Sequence, residues 1–303
     1  MRDITTYHYT KIYNLILNDG NNWHITSDKD NIPIIDKFAG IMNLKESQPD
    51  VFPKLLFTNK NKKDDYTEYK INHKDTEWEY YDCGVVHIWC HRIDWNVICE
   101  INDDLSDTDR YLAMWHSLQC IFRRSLQFGG IPFHTGLAEY KGQGVLFAAT
   151  SGTGKSTCCR RLPSYWKVLC DDEALIVCDN KKTYSAHPFP TWSEYLNKRA
   201  ENKWDVQYSV PVSAIFFLEQ SEYDEVIPLS AEKASILIVS SSIQAMEKTW
   251  KRMIGEKKIV MLKNIFNNAF EMAKVIPAYR LRVSLNGRFW EEIEKIMAFM
   301  EYK

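Results

Sequence analysis

The residues of this chain best suited to phosphate chemistry are a lysine and a serine directly after a glycine, followed closely by paired carboxylates. Residues 148–177 read AATSGTGKSTCCRRLPSYWKVLCDDEALIV. Ala149, Gly154, Lys155 and Ser156 fit the spacing of a phosphate-binding loop, with Gly152 inside it and alanine where the first glycine usually stands. Glycines let backbone N–H groups turn toward phosphate oxygens, a lysine reaches the β- and γ-phosphates, and the serine hydroxyl can hold Mg²⁺. The loop set is therefore Ser151, Gly152, Thr153, Gly154, Lys155, Ser156 and Thr157, and it implies binding of a nucleoside triphosphate. Asp171 and Asp172 end a second apolar run, WKVLC. One carboxylate there could hold the metal while its neighbour accepts a proton from an attacking hydroxyl. The plainer reading of Asp-Asp is a turn between two strands. Because helix and strand fit into sixteen residues, the aspartate strand is expected to return directly beside the loop strand.

The elements that must position these residues follow from hydrophobic patterning. GVLFAA (144–149) is a buried strand leading into the loop, and KSTCCRRL is a short helix stopped by Pro163. Before them, Leu112, Trp115, Leu118, Phe122 and Leu126 recur at three- and four-residue steps, a helix opened by SDTD and stopped by Gly129-Gly130. After them, VSAIFFLE (212–219) and SILIVSS (235–241) read as strands or buried segments. EKKIVMLKNIFNNAFEMAKVI is a helix, AYRLRVSL (278–285) a strand, and the last eighteen residues an amphipathic helix. Residues 1–105 are strand-rich: YTEYKIN, DTEWEYY, GVVHIWCHRI and WNVICEI, with a turn-rich stretch over 43–63. The expected architecture is an α/β catalytic domain over 106–303, preceded by a smaller β-rich region over 1–105.

Composition removes several classes. Net charge is −2 and the pI is near 6.5, so no nucleic-acid partner is expected, and Lys60–Lys63 reads as a solvated loop. The start has no apolar core after Arg2, and no run approaches the ~18 apolar residues of a membrane span. Eight scattered cysteines fit reduced thiols, so the cytoplasm is the expected compartment. Cys83, His87, Cys90 and His91 invite a zinc reading, but on a strand His87 and His91 share one face while Cys90 points to the other. Cys158 and Cys159 read as packing residues. In HPFPTWSEY (187–195), Trp192 either touches a ligand or anchors the loop in a core.

PFHTGLAEYKGQGVLFAATSGTGKS, followed by VLCDDEALIV, resembles the catalytic core of the HPr kinase/phosphorylase family. More narrowly, GKSTCCRRLP, CDDE and HPFPTWS are similar to HPr-kinase-related proteins of ribosomal-peptide gene cassettes, of the SynChlorMet and lasso-peptide serine kinase type. The resemblance implies a P-loop kinase core of the HPr kinase/PEP carboxykinase-like type. It implies transfer of the γ-phosphate of ATP, with Mg²⁺, to a seryl hydroxyl of a peptide or protein, with a ribosomal precursor peptide as candidate partner. It also implies roles: Asp172 as base and Asp171 on the metal, or the two exchanged, with Ser156 on the metal, Lys155 on the phosphates and His134 near the reacting phosphate. Two departures stand out. Thr135 separates His134 from Gly136, where the family has His-Gly directly, and the family's later glycine-rich basic segment is missing. Lys198 and Arg199 are only positional candidates for a catalytic cation. The alternatives are a small-molecule kinase for an amino acid or sugar, and a nucleotide-switched binding module without transfer. Homo-oligomerisation is left open, and the β-rich region is expected to recognise substrate by strand addition.

Overall fold

The computed structural model describes residues 11–48, 50–59, 77–150, 152–197, 202–247 and 255–301. YTEYKIN, Lys60–Lys63, Ser151, Lys198 and Arg199 lie outside them. The architecture is mixed α/β, with two mixed sheets and seven α-helices among the described residues. Contacts divide the chain into two compact units, Met1–Arg124 with Trp192–Gln207, and Ser125–Thr191 with Tyr208–Lys303.

The first unit is built on a seven-stranded sheet of β1 (Ile12–Leu15), β2 (Trp23–Ser27), β3 (Lys45–Glu46), β4 (Lys54–Asn59), β5 (Trp78–Asp82), β6 (Val86–His91) and β7 (Val97–Ile101). Its order is β3-β1-β2-β4-β7-β6-β5. Residues 43–63, expected to be turn-rich, instead contain β3 and β4. KLLFTN is a central strand, parallel to both β2 and β7, with Leu55, Leu56 and Phe57 buried. Polar flanks on a short apolar run hid it. On β6, Cys90 is buried while His87 and His91 share the other, less buried face, as strand alternation requires. Helix α1 (Ile32–Ile41) places Phe38 against Phe57, 5.9 Å between ring centroids. Helix α2 (Asp107–Gln127) carries Arg123, whose guanidinium meets Glu79 at 2.8 Å and lies 4.7 Å over the Tyr81 ring. Trp192, in the short α4 (Trp192–Leu196), is buried against Phe38 and Tyr195, so core anchoring is the answer for that residue.

The second unit holds β8 (Ile131–Tyr140), β9 (Gln143–Ala148), β10 (Lys167–Cys170), β11 (Glu173–Cys178), β12 (Tyr184–Phe189), β13 (Val210–Gln220), β14 (Glu225–Pro228) and β15 (Ala278–Val283). Its pairings close a ring: β8 to β11, β11 to β12, β12 to β13, β13 to β9, and β9 back to β8. Strand β8 makes this possible by pairing its first half with β11 and its second half with β9. A two-residue turn, Lys141-Gly142, joins β8 to β9, both residues at positive φ as such a hairpin requires. Helix α3 (Lys155–Arg161) follows β9 and lies close to β8: a Cβ at Gly136 would meet the Cys159 sulfur at 2.5 Å. Phe147, Phe216 and Trp166 pack with Phe289 and Ile293 of α7 (Phe289–Glu301) to form the core beneath the loop.

SILIVSS is not a strand. It lies within helix α5 (Ala231–Ala245), capped by Ser230, whose hydroxyl accepts from Lys233 N. Ala234, Ile238, Ser241, Ser242 and Ala245 form its buried face, a helical spacing that the run of aliphatics obscured. Helix α6 (Gly255–Val275) packs on α5 and holds the end of α2, Asn268 donating to the carbonyls of Leu126 and Gly130 at 2.8 and 2.9 Å. No described helix is long and apolar enough to cross a membrane.

Candidate functional site

The loop leaves β9 at Ala148 and enters α3 at Lys155, with Gly152 at φ 83° and Gly154 at φ 111°. Side chains rarely adopt these angles, and no atom within 4 Å would oppose a Cβ at either position, so backbone conformation is what demands glycine. Thr153 N donates to the Thr150 carbonyl at 3.2 Å, and the Gln220 amide from the end of β13 donates to the Thr153 carbonyl at 3.2 Å, fixing the loop. Ser156 is half-buried and Thr157 exposed at the start of α3.

Lys155 is buried, yet its partners are neutral. Its ammonium donates to Nε2 of His134 at 2.7 Å and toward the Ala149 carbonyl at 3.4 Å. Because Nε2 accepts, the imidazole proton sits on Nδ1, which faces Oδ1 of Asp172 at 3.4 Å. Lys155, His134 and Asp172 thus form one continuous chain of polar contacts. Burial lowers the Lys155 pKa, with Asp172 and Asp171 pulling the other way. Burial, and then the Lys155 charge, also lower that of His134, which is neutral at neutral pH.

The aspartates reach this chain by a route other than the expected one. Strand β10 does not lie beside the loop strand. Both edges of β9 are taken, by β8 and β13, so β10 and β11 pair with the far edge of β8. His134 on β8 therefore stands between the lysine and the carboxylates. Thr135 N donates to the Asp172 carbonyl at 2.9 Å, pinning the aspartate turn against β8. Asp171 is oriented separately, accepting from the buried Thr191 hydroxyl at 2.9 Å.

Three residues that sequence reasoning left unassigned belong to this site. Glu173 pairs directly with His134 across β11 and β8, on the same sheet face, and is buried. Burial, then the Asp172 charge, push its pKa up well above the usual carboxylate value. Thr191 fixes Asp171, and Ser241 of α5 donates to the His134 carbonyl at 2.8 Å. Glu173 stood in the CDDE quartet and Thr191 in HPFPTWS, but their partners come from distant strands.

The family model described as SynChlorMet cassette protein ScmC matches residues 97–298. The chain belongs to the ScmC family. The ScmC match starts at β7 and spans every residue of the site above, from His134 to Ser241. The comparison with curated proteins returned no match.

Proposed function

We propose that this ScmC-family chain is an ATP- and Mg²⁺-dependent kinase that transfers the γ-phosphate to a hydroxyl, serine by preference, of a peptide or protein. The second unit is read as a P-loop kinase core of the HPr kinase and PEP carboxykinase-like type, and the reaction as a step in ribosomal-peptide modification. The observation that carries the reading is the chain Lys155–His134–Asp172, which puts a buried cation and a half-exposed carboxylate on either side of one imidazole, at the mouth of a glycine loop. Membership of a cassette family supports a peptide as the acceptor.

The residues divide the work by position. Lys155, held by a neutral ring nitrogen and a carbonyl, neutralises charge on the β- and γ-phosphates, a far better partner for its ammonium. Ser156 and Asp171 would hold Mg²⁺, which supplies further neutralisation of phosphate charge when bound. Thr191 keeps one Asp171 oxygen engaged and leaves the other for the metal. Asp172 accepts the proton of the attacking hydroxyl. The new bond forms between that oxygen and the γ-phosphorus as the bond to the β-phosphate oxygen breaks, leaving ADP. His134 keeps Lys155 and Asp172 apart and in register, which prevents a direct ion pair that would quench both.

The test uses ATP labelled in its γ-phosphate, Mg²⁺ and an extract of the source cells, with wild type and Asp172→Asn side by side. Label in a polypeptide with wild type alone is the expected outcome, with Mg·ATP binding retained in the variant. Label confined to small molecules would transfer the assignment to a metabolite kinase. ATP binding with no transfer by wild type, even with purified cassette peptide, would reduce it to a nucleotide-switched module.

A further inference from the structure

Helix α6 has more apolar surface than its own fold uses. Met261, Ile265, Ala269 and Met272 are its buried face. A second line runs along the outside: Ile259, Phe266 and Phe270 are 67%, 52% and 37% exposed. At ~100° per residue these three fall within about 40° of one another, so they form one stripe rather than scattered surface groups. Single exposed apolar side chains are ordinary, whereas three along one side of a helix, with Lys263 set between Ile259 and Phe266 and charges at both ends, have the form of an interaction face.

The charges say which partner fits. Glu256 stands at the first turn and Lys274 at the last, eighteen residues apart. At ~3.6 residues per turn that separation is about five full turns, so both lie along the same edge of the stripe. We infer that this stripe is the interface of a two-fold homodimer, in which α6 packs antiparallel against α6 of a second copy. In that arrangement Glu256 meets Lys274 of the partner subunit, and Lys274 meets Glu256 of the partner subunit, both at once. Ile259 packs on Phe270 of the partner subunit, and Phe266 lies near the axis. A parallel pairing would instead leave Glu256 and Lys274 at opposite ends of the interface, each on the level of its own copy and far from its opposite charge. Two-fold interfaces are self-complementary in this way, one surface meeting itself. Lys274 already bonds Glu271 at 2.7 Å within the helix and would bridge the two acids. Lys263, beside the stripe near its middle, lays its aliphatic stem over Phe266 of the partner subunit and keeps its ammonium in solvent. The inference stands apart from the kinase reading, since no residue of the nucleotide loop takes part.

Sedimentation equilibrium of the full chain at about 1–100 μM tests it, in the range where dimers of ordinary interface size associate. A reversible dimer is expected. Phe266→Asp should leave a monomer with an unchanged circular dichroism spectrum. Glu256→Lys alone should weaken association by roughly tenfold, and so should Lys274→Glu, while the double charge swap should return it to within about threefold of wild type. A wild-type monomer throughout that range would overturn the inference. So would a dimer indifferent to Phe266→Asp, or single charge reversals that the double swap fails to rescue.

Discussion

Two largely buried cations of this molecule live by opposite rules. In the first unit Arg123 is enclosed by Glu79 at 2.8 Å, the Tyr81 ring and the Cys90 and Cys120 thiols. Burial works against its charge, but its surroundings, with the Glu79 carboxylate bonded to it, more than offset that, and its pKa stays above the usual value. The Tyr81 hydroxyl donates to the same Glu79 carboxylate, so the network is closed. In the second unit Lys155 is also buried, but a neutral imidazole and a carbonyl are its partners, and its pKa is lowered. A cation fully paired within the fold holds elements together. A cation buried beside neutral groups keeps an unspent attraction for an anion from outside. The contrast sets a charge closed within the fold beside one left open to an anion, without reference to any motif.

Breaking the open network should have the largest effect, and it should fall on activity. Lys155→Met is expected to lower phosphoryl transfer at least ~10³-fold, about 4 kcal/mol, while thermal unfolding without nucleotide shows no loss of stability or a small gain. Breaking the closed network should do the reverse. Glu79→Gln leaves Arg123 without its carboxylate, and about 3 kcal/mol of folding stability should be lost in denaturant titration, with ATP binding per folded molecule unchanged. If Glu79→Gln proved harmless and Lys155→Met unfolded the chain, the contrast would be inverted.

Smaller effects sharpen it. Thr191→Val removes the hydroxyl that orients Asp171, and the Mg²⁺ concentration for half-maximal transfer should rise about fivefold, roughly 1 kcal/mol, with little change at saturating metal. A uniform fall at every Mg²⁺ concentration would mean that Thr191 serves packing instead. The smallest effect is on pH dependence. His134 has a folded pKa below its unfolded value, so in the window beneath pH 6.5 the unfolded chain binds more protons than the folded one. Its contribution is therefore present above pH 6.5 and lost as pH falls through the lower folded value. His134→Gln should flatten this part of the stability profile. An equally steep profile in the variant would assign the slope to other groups.

Much of this was written in local sequence, and the limit of legibility has a physical cause. The loop, its strand and its helix could be read because their geometry depends on residues within a few positions of each other. The same holds for α2 and α6, whose apolar spacing spells a helix. SILIVSS failed as a strand because four consecutive aliphatics flanked by serines carry no clear period, and the decisive signal was the Ser230 cap shortly before it. The site's centre was legible only in its members. His134, Asp171 and Asp172 stand out as residues, but their arrangement depends on which strand lies beside which, a property of long-range pairing. That is why the loop strand was expected to neighbour the aspartates, and why β8 was not foreseen as the bridge between them. It is also why Glu173 passed unnoticed: its meaning comes from facing His134 across two strands.

The two-residue turn Lys141-Gly142 has a consequence for how the site is assembled in time. It joins the strand that carries His134 to the strand that launches the loop, so these two can zip together as a hairpin on a ~1–10 μs timescale, with little loop entropy to overcome. The β11–β12 hairpin is similarly local, the β8–β11 seam spans a longer stretch of chain, and the two seams of β13 should close later still, when that strand arrives from beyond residue 207. The histidine's strand and the strand that launches the loop are thus joined by one of the fastest events available to this sheet. The carboxylates and the strand that braces the loop are added to a pair already in register.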